Sequence, residues 1–197
     1  NFDFGDLNQH LIDVKADDGA ASTTYYYALV QPDPTFSEYC GGSCTTGQSF
    51  VVDDPADGDI RVGGGLGYAG ERWAWTLAHE LGHMHGRGHA PCDVSGSDSS
   101  YPYSGGSIGV WGFDPRSGAY YSPDVYSDFM GYCDDRWISD YNFENLFERI
   151  LAVNGLGSQK AARSLHHFLR LSETDTATWG RAARLRPPRT AETRRVR

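Results

Sequence analysis

Residues 79–89 read HELGHMHGRGH, and no other stretch restricts this chain as sharply. On an α-helix, side chains four apart lie on one face, so His79 and His83 present their imidazoles to a common point. Glu80 is turned about 100° around the axis, off that face but within reach of a water held there. A third donor has to come from outside the helix. His89, six residues past His83, returns to the same point if the chain turns sharply in between, and Gly86 is the residue type that tolerates the positive φ of such a turn. His79, Glu80, His83, Gly86 and His89 thus fill H-E-x-x-H-x-x-G-x-x-H, a pattern expected by chance on the order of 10⁻⁵ to 10⁻⁴ times at the chain's own composition. The competing reading, a His-rich surface helix, gives Glu80 and Gly86 no reason to be there. His85 points about 200° away from His83 and reads as a non-ligand. His10, His166 and His167 stand in no recognisable spacing and read as surface residues.

A second element lies downstream. DFMGYC, residues 128–133, supplies Met130, one of two methionines in the chain, 41 residues after His89, with Tyr132 two residues beyond it. Alone, Met130 would read as core filler and Tyr132 as a packed or rim tyrosine. Together with the histidine motif, they make the chain resemble the metzincin zinc metalloendopeptidases, whose long histidine pattern is followed by a methionine turn. Astacin- and serralysin-like members share the Met-x-Tyr order. Cys92, Cys133 and RWISDYNF (residues 136–143) resemble secreted bacterial and pappalysin-like members, whereas Ala90 departs from the more distinctive residue that the best-known families place after the third histidine. The match runs roughly over residues 25–151 and is specific at 79–89 and 128–133.

This resemblance implies an α+β fold: a small twisted sheet with the active-site helix above the cleft, and an irregular lower half holding the Met-turn and a C-terminal helix. It implies one catalytic zinc ion on His79, His83 and His89, with Met130 beneath them. Glu80 would be the general base, and Tyr132 would approach the metal and stabilise the oxyanion. Residues 59–65 would be the edge strand that pairs with an extended protein or peptide substrate. The expected activity is that of a zinc endopeptidase acting on extracellular proteins. Two other classes compete with it. A zinc-bearing binding or adhesion module that had lost catalysis would have no use for the intact Glu80. A hydrolase of non-peptide bonds would be separated by assay on small esters.

The four cysteines, Cys40, Cys44, Cys92 and Cys133, permit three pairings. Cys40 and Cys44 lack the second pair that a metal site needs and read as a small disulfide loop. Cys92 lies three residues past His89 and Cys133 three past Met130, so a shared zinc floor brings them close. The expected bridges are Cys40–Cys44 and Cys92–Cys133, in a secreted protein.

Charge narrows the partners. Residues 181–197 hold seven arginines against one acid, which leaves 10 basic and 25 acidic side chains in residues 1–180, a net of −15. A body that acidic argues against nucleic acid or an anionic membrane as partner. No run of about 18 apolar residues spans a bilayer. The chain starts at Asn1 and reads as a mature or excised form, expected to be monomeric.

Periodicity predicts helices over 6–15, 71–84 and 140–151, the last with an apolar stripe of Phe143, Leu146, Phe147, Ile150 and Leu151 and a cap at Ser139 or Asp140. Strands are predicted over 23–30, 48–52 and 59–63, after which the glycines of VGGGLG (62–67) are expected to break any regular element. Residues 90–132 show little periodicity. Asp93, Asp98 and Asp114 offer oxygens for calcium there, against a solvated loop, since no EF-hand-like spacing accompanies them. The domain reading is 1–155 for the catalytic domain and 156–197 for an extension with a short helix over 161–171 and a disordered, dispensable basic tail.

Overall fold

The computed structural model describes residues 2–155 and, beyond them, four short strand segments. The chain opens with α1 (Phe4–Asp17), started by Asp3, whose carboxylate accepts from the amides of Gly5 and Asp6. Then come β1 (Tyr26–Val30), α2 (Phe36–Tyr39), β2 (Gly47–Ser49), β3 (Val62–Leu66) and α3 (Glu71–Met84). The lower half adds two short strand pairs, β4 (Gly112–Phe113) with β5 (Tyr120–Tyr121) and β6 (Ser127–Asp128) with β7 (Arg136–Trp137). It ends in α4 (Asp140–Val153), capped by Ser139. This is a mixed α and β architecture with small sheets, compatible with the α+β expectation. None of the described helices is long and apolar enough to cross a membrane.

The upper sheet has the order β1-β3-β2. β3 is its centre, parallel to β1 (Tyr26 opposite Val62) and antiparallel to β2 (Ser49 opposite Gly63, Gly47 opposite Gly65). Two expectations are overturned here. The glycine run does not break the chain but forms the fully buried central strand, and the edge strand beside the three histidines is Gly47–Ser49 rather than 59–65. The reason is crowding. A Cβ at Gly63 would lie 2.8 Å from the Ser49 Cβ, one at Gly64 2.5 Å from the Leu7 Cδ2, and one at Gly65 2.2 Å from the Tyr27 hydroxyl. Glycine is required because the neighbouring strands and α1 use the space above and below β3.

One core cluster joins Phe4, Tyr39, Leu66 and Trp73 from α1, α2, β3 and α3. Another gathers Ala90, Phe129 and Met130 beneath α3. The apolar stripe predicted for α4 goes inside only in part: Leu146 packs against this second cluster, but Phe143 and Phe147 are 60% and 56% exposed, and Asn142 is the helix's buried residue. Hydrogen bonds at its first turn and those of Arg149 to the Val52 and Asp53 carbonyls also hold this helix in place.

Residues 158–197 form a separate unit. Its described parts are β8 (Leu165–His166) paired with β11 (Ala183–Arg184), and β9 (Leu169–Leu171) paired with β10 (Ala177–Trp179). The helix expected over 161–171 is replaced by strand wherever the structure describes that stretch. The disorder expected of the tail falls largely outside the described residues, as does His167.

Candidate metal centre and cleft

α3 spans Glu71–Met84 as its periodicity predicts, and its end delivers the third histidine. The amide of Gly86 donates to the His83 carbonyl at 2.8 Å and that of Arg87 to the Gly82 carbonyl at 2.9 Å, a paired termination that needs a left-handed residue between them. Gly86 supplies it with φ of +78°. The chain then reverses, and one ring nitrogen from each of His79, His83 and His89 comes within 4.8 Å of the others. No other group of three such side chains occurs among the described residues.

The outer contacts of the imidazoles fix their tautomers. His79 Nδ1 lies 3.0 Å from the Phe129 carbonyl and His83 Nδ1 lies 2.7 Å from the Arg87 carbonyl. A carbonyl only accepts, so both Nδ1 atoms carry the proton, and both Nε2 lone pairs are left facing inward. Burial pushes the pKa of each of these two histidines down to about 4, so both are neutral near pH 7. His83 Nε2 stands 3.2 Å from His89 Nε2. Neutral, outwardly anchored imidazoles converging on one point are the donor set that a zinc ion takes. The chain's residues fit the metal.

Glu80 lies beside them, almost fully buried, and burial raises its pKa to about 7 despite a stabilising hydrogen bond from Ser49. Gly47 makes room for it: a Cβ there would lie 3.0 Å from the Glu80 Oε1 and 2.7 Å from the Thr76 methyl. The phenol of Tyr132 comes from the opposite wall, its oxygen 3.2 Å from His89 Nε2. Its pKa is raised, by burial and then by the charge of Glu80.

Met130 is fully buried under α3. Gly82 permits this approach, since a Cβ at that helical position would lie 2.3 Å from the Met130 sulfur. Gly131 does not adopt positive φ; it is glycine because a Cβ would lie 2.9 Å from that of Cys92. Both bridges form as expected, Cys40–Cys44 and Cys92–Cys133. Arg136 pins the turn further, donating to the carbonyls of Cys133 at 2.6 Å and Tyr132 at 3.2 Å.

A buried polar link ties these parts together. Asp128, with no exposed surface, accepts three hydrogen bonds of 2.8 Å, from the amides of Met130 and Ser139 and from the Asn142 Nδ2. Asn142 in turn accepts from Arg87 Nε at 2.8 Å. The two carbonyls that anchor His79 and His83 therefore hang on one network.

The long motif in α3, the return at His89 and the turn at Met130 all lie in the segment matched by the sequence profile of peptidase M66, residues 12–133. The chain belongs to the peptidase M66 family. By family it is a metallopeptidase, and its three-histidine cluster is compatible with zinc. No curated protein and no solved structure matches it.

The remaining sequence candidates of this M66 peptidase lie elsewhere. His85 stacks on Tyr25 with ring centroids 4.6 Å apart and bonds the Leu81 carbonyl through Nδ1, away from the three histidines. His10 is exposed on α1. The three aspartates considered for calcium do not gather: Asp98 is paired with Arg87 at 3.3 Å and accepts from Tyr141, while Asp114 closes its own turn with Ser117. Sequence reasoning missed Ser49, Asp128 and Asn142. The small residue inside HELGH was a usable signal for the close approach of Met130; the partners of Ser49 and Asn142 lie too far along the chain to be read from spacing.

Proposed function

We propose that this protein is a zinc-dependent endopeptidase of metzincin type that cleaves extracellular proteins. The observation that carries the reading is the convergence of neutral His79, His83 and His89 beside the buried carboxylate of Glu80. These three histidines would hold the ion, with Met130 packed below them. A bound zinc ion would supply Lewis acidity, acidifying water and polarising a peptide carbonyl. Glu80 takes the proton of the attacking water on its carboxylate and passes it to the leaving amine. Tyr132 offers its hydroxyl to the oxyanion from the opposite wall.

β2 gives the substrate its track. The Leu66 amide donates to the Thr46 carbonyl at 2.9 Å, which sets the phase of the β2–β3 ladder. The main-chain groups of Gln48 then face Gly64, and those of Gly47 and Ser49 face outward, where an extended peptide can pair with them. Metal analysis and cleavage-site mapping on a proteome-derived peptide library test the reading. One zinc per chain and internal cleavages are expected, both lost in His83→Ala. A metal-replete protein that cuts no peptide bond would overturn it.

A further inference from the structure

The hydroxyl of Ser49 lies 2.8 Å from Glu80 Oε2 and 2.9 Å from the Glu80 carbonyl oxygen. It is the side-chain donor that reaches this carboxylate among the described residues, and no side chain among them donates to Oε1. Ser49 sits on β2, two residues after Gly47, so both face α3 by strand alternation: Gly47 by having no side chain where Glu80 lies, Ser49 by grasping it. The same residue's amide and carbonyl point away from β3, by the phase of the ladder, and the amide also interacts with the Glu80 carboxylate, helping to lower its pKa. One residue therefore touches the general base with its side chain and the substrate track with its backbone.

We infer that Ser49 is a positioning residue that converts pairing of an extended substrate along β2 into a fixed orientation of the Glu80 carboxylate; this rests on the endopeptidase reading. With Oε2 held, Oε1 is the oxygen left to take the proton. Edge strands are only half restrained, since one side of their ladder lacks a partner. An extended peptide completes the ladder at Gly47 and Ser49, and the order it imposes there reaches Glu80 through Ser49. Binding energy gained away from the scissile bond then appears in kcat, the behaviour expected when remote contacts are used for orientation at the reacting centre.

Two peptides built around one mapped cleavage site distinguish the outcomes: a long one that covers β2 and a short one that does not, each assayed with wild type, Ser49→Ala and Ser49→Thr. In wild type the long peptide has the higher kcat. Ser49→Ala lowers kcat on the long peptide about tenfold, the scale of one lost hydrogen bond to a charged group. KM changes little, and the advantage of the long peptide disappears. Ser49→Thr, which keeps the hydroxyl, retains it, and zinc content and melting temperature stay at wild-type values in both variants. An equal loss on both peptides, a loss confined to KM, or a folded Ser49→Thr protein that behaves like Ser49→Ala overturns the proposal. If no cleavage site can be mapped with metal-replete wild type, the endopeptidase reading fails, and the role of Ser49 with it.

Discussion

Helix α3 and strand β3 pack against each other, with Gly63 near the Met84 methyl and Gly65 near the Thr76 methyl, and they shape the cleft by opposite means. In α3 the chemistry lies in what the side chains are: two imidazoles on one face and a carboxylate beside them. In β3 it lies in what is missing, since three consecutive glycines leave room for Ser49, Leu7 and Tyr27. On the proposed endopeptidase reading the helix holds the reacting groups, and the strand holds space for the groups that support them. Substitutions in the first region should therefore cost activity without stability, and in the second stability first.

The largest effect expected is that of Glu80→Ala, which should lower peptidase activity by about a thousandfold or more through loss of general-base catalysis. Zinc content and melting temperature should be unchanged; a large fall in either, by metal analysis or calorimetry, would make Glu80 a packing residue and dissolve the contrast. Next comes Tyr132→Phe, which extends the activity side of the comparison to the opposite wall. Loss of an oxyanion donor should reduce kcat about 10²-fold with KM nearly constant. A drop of less than about threefold would assign the tyrosine to packing alone.

Gly65→Ala is the matching probe of β3. Its new methyl would enter the space of the Tyr27 hydroxyl, and overpacking of this kind costs about 1–3 kcal/mol in denaturant unfolding. Adding Tyr27→Phe should recover part of that loss, because the clash is with the hydroxyl oxygen. Tyr27→Phe alone should have the smallest effect. The Tyr27 hydroxyl is buried without a hydrogen-bond partner among the described residues, so its removal should be neutral or stabilising by up to about 1 kcal/mol. A clear destabilisation would show that this oxygen has a partner.

The same contrast explains what could be read from the chain beforehand. α3 was legible because its apolar period, its motif and the glycine after it agree, and such agreement across levels is what specifies a structure. The gathering of His79, Glu80, His83, His89, Met130 and Tyr132 followed from that motif and the resemblance it carries, as did Cys92–Cys133, whereas Cys40–Cys44 was legible from its own short spacing. β3 was not legible, since a glycine run looks the same on paper whether it crosses a loop or fills the middle of a sheet. That decision belongs to Leu7, Tyr27 and Ser49, on three other elements. The edge strand was misplaced for the same reason: register is a relation between strands, not a property of one. α4 shows the converse. Its apolar stripe predicted burial, but Ser139 and Asn142 seat the helix through Asp128 and leave Phe143 and Phe147 exposed.

The link through Asn142 also bears on the order in which the protein is made. Arg87 and Asn142 are 55 residues apart in the chain, and His79 and the Phe129 carbonyl are 50 apart. A polypeptide synthesised from its N-terminus exposes all three histidines well before Phe129, which orients the His79 ring, and Asn142, which holds Arg87. Until α4 has emerged, the histidines can meet a metal only as loosely held side chains. The rigid centre, and with it any power to cut other chains, belongs to a molecule whose last described helix has already been built.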